Sequence, residues 1–289
     1  MTAPGLLAEA VSGQVLVQDR GRPGLAHLGV GAAGAADRSA LRLANRLLAN
    51  PDAAAGLEVL FGGLALRALR DVVLAVTGAD VPILVRGRAV ARAGPVPLAA
   101  GDTIDIGQAR SGLRCYVAVR GGIVVPGVLG SRSYDTLAGL GARPLREGDA
   151  LPIGPAPASF PVLDAAPMPV NATSSVVARI RLGPRLEWFD EGAAGLLMAG
   201  QWQVGTDSDR VGIRLTGPTI AWRADRGELP SEGMVRGAVQ VPPNGLPVIL
   251  GPDHPVTGGY PVIAVVADAD IDLLSQVRPG DSMRFALFR

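Results

Sequence analysis

The residues best suited to chemistry cluster between Ser231 and Pro261. Glu232, Gln240, Asp253, His254, Thr257 and Tyr260 lie there among three apolar, strand-like pieces. Turn residues separate the pieces: Pro242-Pro243-Asn244-Gly245, Gly251-Pro252 and Gly258-Gly259. Strands supply rigidity and turns aim polar side chains at a common rim. Asp253 and Glu232 are the candidate acid/base groups; Asp253 reads either as a general base or ligand anchor, or as an Asx-turn cap. Gln240, Thr257 and Tyr260 are candidate substrate contacts, although the Tyr260 ring can equally pack a corner. Upstream, Arg210 and Arg214 are four residues apart and share a face if Ser208–Arg214 is extended. Two guanidiniums so placed grip a carboxylate, with Glu232 holding them; the alternative is a surface ion pair. A triad of Asp253 and His254 with Ser131 or Ser133 is disfavoured, because adjacent Asp and His rarely align and no G-x-S-x-G elbow exists.

A second polar cluster comes earlier, at Asp19, Arg20, Arg22 and His27. His27 reads as a structural histidine. Arg22 and Asp37 join the candidate substrate-binding residues. Gly29-Val30-Gly31-Ala32-Ala33-Gly34 satisfies G-x-G-x-x-G. It lacks the strand and βαβ unit that a dinucleotide site requires, because Arg22-Pro23-Gly24 breaks the approach. The loop is either purely structural or a nest of N–H groups that could hold a carboxylate or phosphate, with Asp37 repelling an anion placed too close.

The formal charge is +1, from 27 basic and 26 acidic residues, which gives no electrostatic footprint for nucleic acid or an anionic membrane. Every basic residue is Arg, so the chain itself offers no Schiff-base, P-loop or biotin-bearing Lys. The single Cys, Cys115, excludes an internal disulfide and sits in an apolar run that suits an inert buried thiol. Two His residues far apart make an all-His zinc site impossible, and no metal is expected. There is no signal-like segment and no apolar run of about 18 residues, so a cytoplasmic, non-membrane protein is expected.

These side chains need a scaffold of short strands. The chain carries 39 Gly and 24 Pro between β-branched runs such as Val72–Thr77, Val176–Leu182 and Val262–Val266. A turn cassette recurs at Gly101-Asp102, Gly148-Asp149 and Gly280-Asp281, each opening an alternating strand. One clear helix starts at Asp37, its N-cap, with Leu41, Ala44 and Leu48 on an apolar stripe, and stops at Asn50-Pro51. A second is expected over Leu186–Met198. Six prolines between Pro152 and Pro169 read as a stiff linker. The expected architecture is mainly β: an N-terminal β-barrel domain (1–155), a linker (156–169) and a C-terminal β-barrel domain (170–289).

Several blocks carry a resemblance. SEGMVRGAVQVPPNGLPVIL followed by DHPVTGGYP, DRGRPGLAHLGVGAAGAADR, LGSRS and SDRVGIRL occur in order along nearly the whole chain. Together they resemble the family of the C-type subunit of 5-oxoprolinase, also called allophanate hydrolase subunit 2 or the biotin-dependent carboxyltransferase-like family. That family includes the antagonist of a sporulation kinase inhibitor. The resemblance implies two cyclophilin-like β-barrel domains with a few short helices. It also implies one component of an ATP-dependent hydrolase that opens 5-oxoproline, a small cyclic amide, to glutamate. ATP would be shared with two partners, a kinase-inhibitor-like homologue of the B-type subunit of 5-oxoprolinase plus a homologue of its A-type subunit. The chain would be inactive alone. Two other readings are a carboxyltransferase-like module for urea or a related amide, with biotin on another protein, and a regulatory protein that binds a kinase inhibitor. The chain departs from the family in two places: Ala33-Gly34-Ala35-Ala36-Asp37 replaces S-G-A-M-D, and Asp209 replaces the usual Asn.

Overall fold

The computed structural model describes residues 3–159, 165–167 and 175–288. Much of the expected 156–169 linker therefore lies outside the described residues. The chain divides into two compact units. Unit 1 comprises residues 1–22, 33–135 and 139–172; unit 2 comprises 23–32, 136–138 and 173–289.

Unit 1 is built from two sheets. One holds six strands, in the order Ala150–Pro152, Pro4–Val11, Leu64–Ala68, Thr103–Ile106, Ile83–Val85 and Arg88–Ala89. The other holds five, in the order Val15–Gln18, Gly56–Leu60, Ser111–Val119, Val72–Asp80 and Val96–Leu98. Leu66, Ile104 and Ile106 of the first sheet pack with Leu57, Leu74 and Val117 of the second in one core. The longest strands, Val72–Asp80 and Ser111–Val119, read as continuous apolar runs because both their faces are covered. The outer face is covered by helix α1 (Arg38–Leu47), whose Ala44 and Leu47 meet Ala75 and Ala118. Among the described residues α1 is the longest helix, and Asp37 caps it as its sequence requires: Oδ1 accepts from Ala40 N at 2.8 Å.

Unit 2 is a closed barrel of seven strands. In order around the barrel they are Ser175–Leu182, Val262–Val266, Ala238–Gln240, Val248–Leu250, Gly212–Thr216, Trp202–Val204 and Ser282–Leu287. The first shows why the sequence makes a strand. Val176, Ala178 and Ile180 point inward, while Arg179 and Arg181 point outward. Trp202 and Phe285 meet edge to face across the barrel core at 6.4 Å. Among the described residues no helix is long and apolar enough to cross a membrane.

The helix expected over Leu186–Met198 is interrupted. A 3₁₀ turn (Leu186–Trp188) and helix α2 (Ala193–Ala199) are separated by Gly192, whose φ of +90° is the left-handed conformation that ends one turn before the next begins. The Gly-Asp cassettes share one geometry. Gly101, Gly148 and Gly280 have φ of +90°, +84° and +89°. The following aspartates bond back three residues, accepting from Ala99 N (2.9 Å), Arg146 N (2.8 Å) and Arg278 N (2.8 Å). Each closes the turn before a strand. Asp281→Ala removes one such bond, so it should lower unfolding stability by about 1 kcal/mol in urea melts without changing the m-value.

Candidate functional site

Register brings the first pair of expected site residues together. Gly212 lies opposite Leu250 in antiparallel strands, so Arg210, just before one strand, faces Asp253, just after the other. Arg210 Nε and Nη2 donate to Asp253 Oδ2 and Oδ1 at 2.7 and 2.9 Å, a bidentate pair. Both are buried, Asp253 completely and Arg210 to 2 % exposure. Thr136 adds its backbone N (2.9 Å) and hydroxyl (2.7 Å) to Asp253 Oδ2. A fully buried carboxylate bonded by four donors is a structural clamp. Gly251 lets the strands pass: a Cβ there would lie 2.3 Å from the Arg210 carbonyl oxygen.

Arg214 does not join Arg210. Asp209 Oδ1 accepts from Val211 N (2.8 Å) and Gly212 N (3.0 Å), which turns the chain between the two arginines. The extended run assumed for a shared grip is therefore absent. Arg214 is exposed and lies 3.4 Å from Asp207.

The remaining expected residues of unit 2 assemble around a two-stranded ribbon, Glu232–Gly233 with Thr257–Gly258, in which Glu232 lies opposite Gly258. Gln240 Nε2, buried, donates to the Tyr260 carbonyl at 3.1 Å and meets Met234 Sδ at 3.2 Å. A Cβ at Gly258 would lie 2.8 Å from that same nitrogen, so glycine lets the ribbon close over Gln240. Thr257 and Tyr260 face solvent. The Tyr260 ring lies 6.5 Å from Trp222, which meets Trp188 edge to face at 6.4 Å; Arg226 stands 5.6 Å over Trp188. Trp222 Nε1 donates to Val241 O at 3.0 Å, fixing the ring.

Glu232 is partly exposed and held by Arg185, whose Nε reaches both carboxylate oxygens at 3.0 and 3.1 Å while Nη2 reaches Oε1. The Arg185 hydrogen bonds hold the Glu232 carboxyl below its ordinary range. Glu232 is thus an anion at neutral pH that orients donors more readily than it takes protons. Arg185, Trp188 and Trp222 were not expected in this cluster. Their partners lie up to 47 residues away, beyond any local pattern.

In unit 1, Asp37 serves α1, and its backbone N donates to Tyr116 Oη at 2.7 Å. Tyr116 donates in turn to Glu58 Oε2 (2.8 Å). Burial, then Glu58 and Asp37, push the Tyr116 phenol well above its usual range. The Asp37 carboxylate occupies the helix start where an external anion would sit. Burial pushes the Cys115 thiol up to about 12, in keeping with an inert group. His27 is exposed, with Nδ1 3.1 Å from Gly24 O. Ser131 and Ser133 bond Asp19 (2.6 Å each), not Asp253. Arg22 is buried against Val128 O and Ser133 O. A cavity of about 900 Å³ in unit 1 is lined by Arg70, Arg86, Arg88 and Arg120, and none of the expected site residues borders it.

Gly251→Ala should cost roughly 1–3 kcal/mol by driving a methyl into the Arg210 carbonyl, read from denaturant melts. The folded Glu232 carboxyl has a depressed pKa, so its contribution is present above the unfolded value and lost as pH falls through the folded one. Carboxyl-carbon NMR should show it titrating below 4.5 and returning toward 4.5 in Arg185→Met.

Comparison with known proteins fits this architecture. The family described as carboxyltransferase domain, subdomain A and B, matches residues 28–287. The chain is 37% identical over 276 residues to the C-type subunit of 5-oxoprolinase from Escherichia coli (strain K12), covering 93% of this chain and 86% of that one. It is 34% identical over 280 residues to the corresponding 5-oxoprolinase component of Haemophilus influenzae, covering 95% and 88%. The crystal structure of the K. lactis urea amidolyase superposes with a TM-score of 0.94 at 30% identity, over all of this chain and 19% of that one. The chain belongs to the carboxyltransferase subdomain A and B family.

Proposed function

We propose that this chain is the C-type subunit of an ATP-dependent 5-oxoprolinase, which opens the lactam of 5-oxoproline to glutamate together with partner subunits. The observation that carries the reading is the likeness to two proteins named as this component of 5-oxoprolinase, which extends over 86% and 88% of their lengths. An unstrained lactam is a poor electrophile. ATP makes chemical sense there, since phosphorylating the amide oxygen turns it into a leaving group. This chain has no Lys for a P-loop, and Asp37 fills the start of α1, so the phosphate grip is assigned to the A-type and B-type partners.

The ribbon of unit 2 is the part of this chain proposed to meet the substrate. Tyr260 and Thr257 present hydroxyls to solvent, and Glu232 presents an oriented carboxylate. Gln240 supports the ribbon from below. Asp253 and Arg210 position these groups by clamping the turn that leads into the ribbon. Apart from its clamp, Asp253 has no access to a reacting atom, so the carboxylate proposed to meet the substrate is Glu232, acting as an anion that orients a donor and not as a proton shuttle. The cytoplasm is the proposed compartment, because ATP is the co-substrate.

The test is reconstitution. The chain alone, each pair and the full set with A-type and B-type homologues are assayed for 5-oxoproline-dependent phosphate release in a cytosolic buffer. Turnover is expected only with the full set. Tyr260→Phe and Glu232→Gln should lower it at least tenfold while the complex still assembles, a loss of about 1.4 kcal/mol or more of transition-state stabilisation. Turnover by the chain alone, or no complex with any B-type homologue, overturns the reading. The likeness to urea amidolyase favours one second reading, a urea-directed carboxyltransferase module. Urea-dependent carboxyl transfer from a biotinylated partner in the same assay would establish it instead.

A further inference from the structure

We infer that unit 1 carries a buried site for a small oxyanion, a carboxylate or a phosphate, built on Arg22. The Arg22 side chain is only 2 % exposed. Its Nε donates to Val128 O at 3.3 Å and its Nη2 to Ser133 O. Its Nη1 is buried and meets no hydrogen-bond partner among the described residues. Among those residues the two backbone carbonyls are its only acceptors, and neither carries a formal charge.

The nearest acid along the chain is turned elsewhere. Asp19 Oδ1 accepts from the Ser131 hydroxyl (2.6 Å), the Ser133 hydroxyl (2.6 Å) and Gly21 N (2.8 Å), and Oδ2 accepts from Arg132 N (2.7 Å). Ser133 Oγ also accepts from Asp19 N at 2.9 Å. This knot fixes the Ser131–Ser133 segment, and with it the carbonyl that holds Arg22. Gly34 adds to the rigidity: a Cβ there would lie 3.0 Å from the backbone of Arg20 and Gly21.

A guanidinium cannot escape its charge by losing a proton. Burying it without an anion is costly, and an unmade hydrogen bond adds to the cost. A fold that nevertheless holds the group rigid leaves one charged nitrogen open to an incoming anion. The two N–H bonds of Nη1 lie in the guanidinium plane, the geometry that carboxylate and phosphate oxygens accept. The Arg22 site is independent of the proposed lactam chemistry: either can fail while the other stands.

Formate and inorganic phosphate are the probes, titrated into the purified chain at constant ionic strength against chloride. Melting temperature and isothermal titration heat are both read. The wild type should show a saturable rise in melting temperature and saturable heat with at least one probe; response to formate alone marks a carboxylate site, and to phosphate alone a phosphate site. Arg22→Met should lose both signals. It should melt no lower than Arg22→Lys in chloride, since Met removes the unpaired charge. Arg22→Lys keeps the charge but not the fork and should bind at least tenfold more weakly. Arg284→Gln, at an exposed arginine, should bind as the wild type does. Absence of any response in the wild type overturns the site, whether or not Arg22→Met folds. So does wild-type affinity in Arg22→Lys or Arg22→Met.

Discussion

The arrangement of unit 2 depends on one buried ion pair. Arg210 and Asp253 both lie out of water, where a single charge is intolerable and a bidentate pair with extra donors is not. Satisfying that pair fixes the register of Gly212–Thr216 against Val248–Leu250. It also fixes the turn at Gly251-Pro252, and it captures Thr136. The chain leaving Asp253 then has little freedom before it reaches Thr257, so the ribbon with Glu232–Gly233 is set by the clamp behind it. The consequence is a division of labour between two carboxylates. Asp253 is spent on holding the scaffold, and Glu232, with Arg185 beside it and solvent in reach, is the one free to meet a ligand.

The two units solve the same local problem in the same way and the global one differently. Both open strands with a left-handed glycine followed by an aspartate that bonds back three residues. In two cases of unit 1 an arginine then takes the outer side of that aspartate: Arg86 with Asp102 and Arg143 with Asp149. Unit 2 closes its seven strands and so leaves no barrel edge. Unit 1 keeps two sheets, and Pro97 sits in the edge strand Val96–Leu98, where a proline withholds a hydrogen-bond donor from further pairing.

Much of this was legible in the residues. Alternation in Ser175–Leu182, the Asp37 cap and the Gly-Asp turns are local patterns, and each fixed its own element. The pairing of Arg210 with Asp253 was not legible, because both read as ligand-facing polar residues until register placed them opposite each other. The separation of Arg210 from Arg214 was missed for a smaller reason. A single Asx turn at Asp209 bends a run that spacing alone treats as straight. The interrupted helix before α2 turns on Gly192, whose left-handed φ is a backbone property that a helical pattern of side chains does not reveal. The aromatic cluster of Trp188, Trp222 and Tyr260 needed tertiary structure outright, since its members come from three separate segments.

A double-mutant cycle on Arg210 and Asp253 tests the clamp most directly. Unfolding free energies of Arg210→Met, Asp253→Leu and the double variant are measured by denaturant melts. The clamp predicts that each single change costs about 3–5 kcal/mol, because it strands the other charge in the core, and that the double variant costs less than either. Single changes that cost little and simply add would contradict it, and would return both residues to the role of ligand contacts.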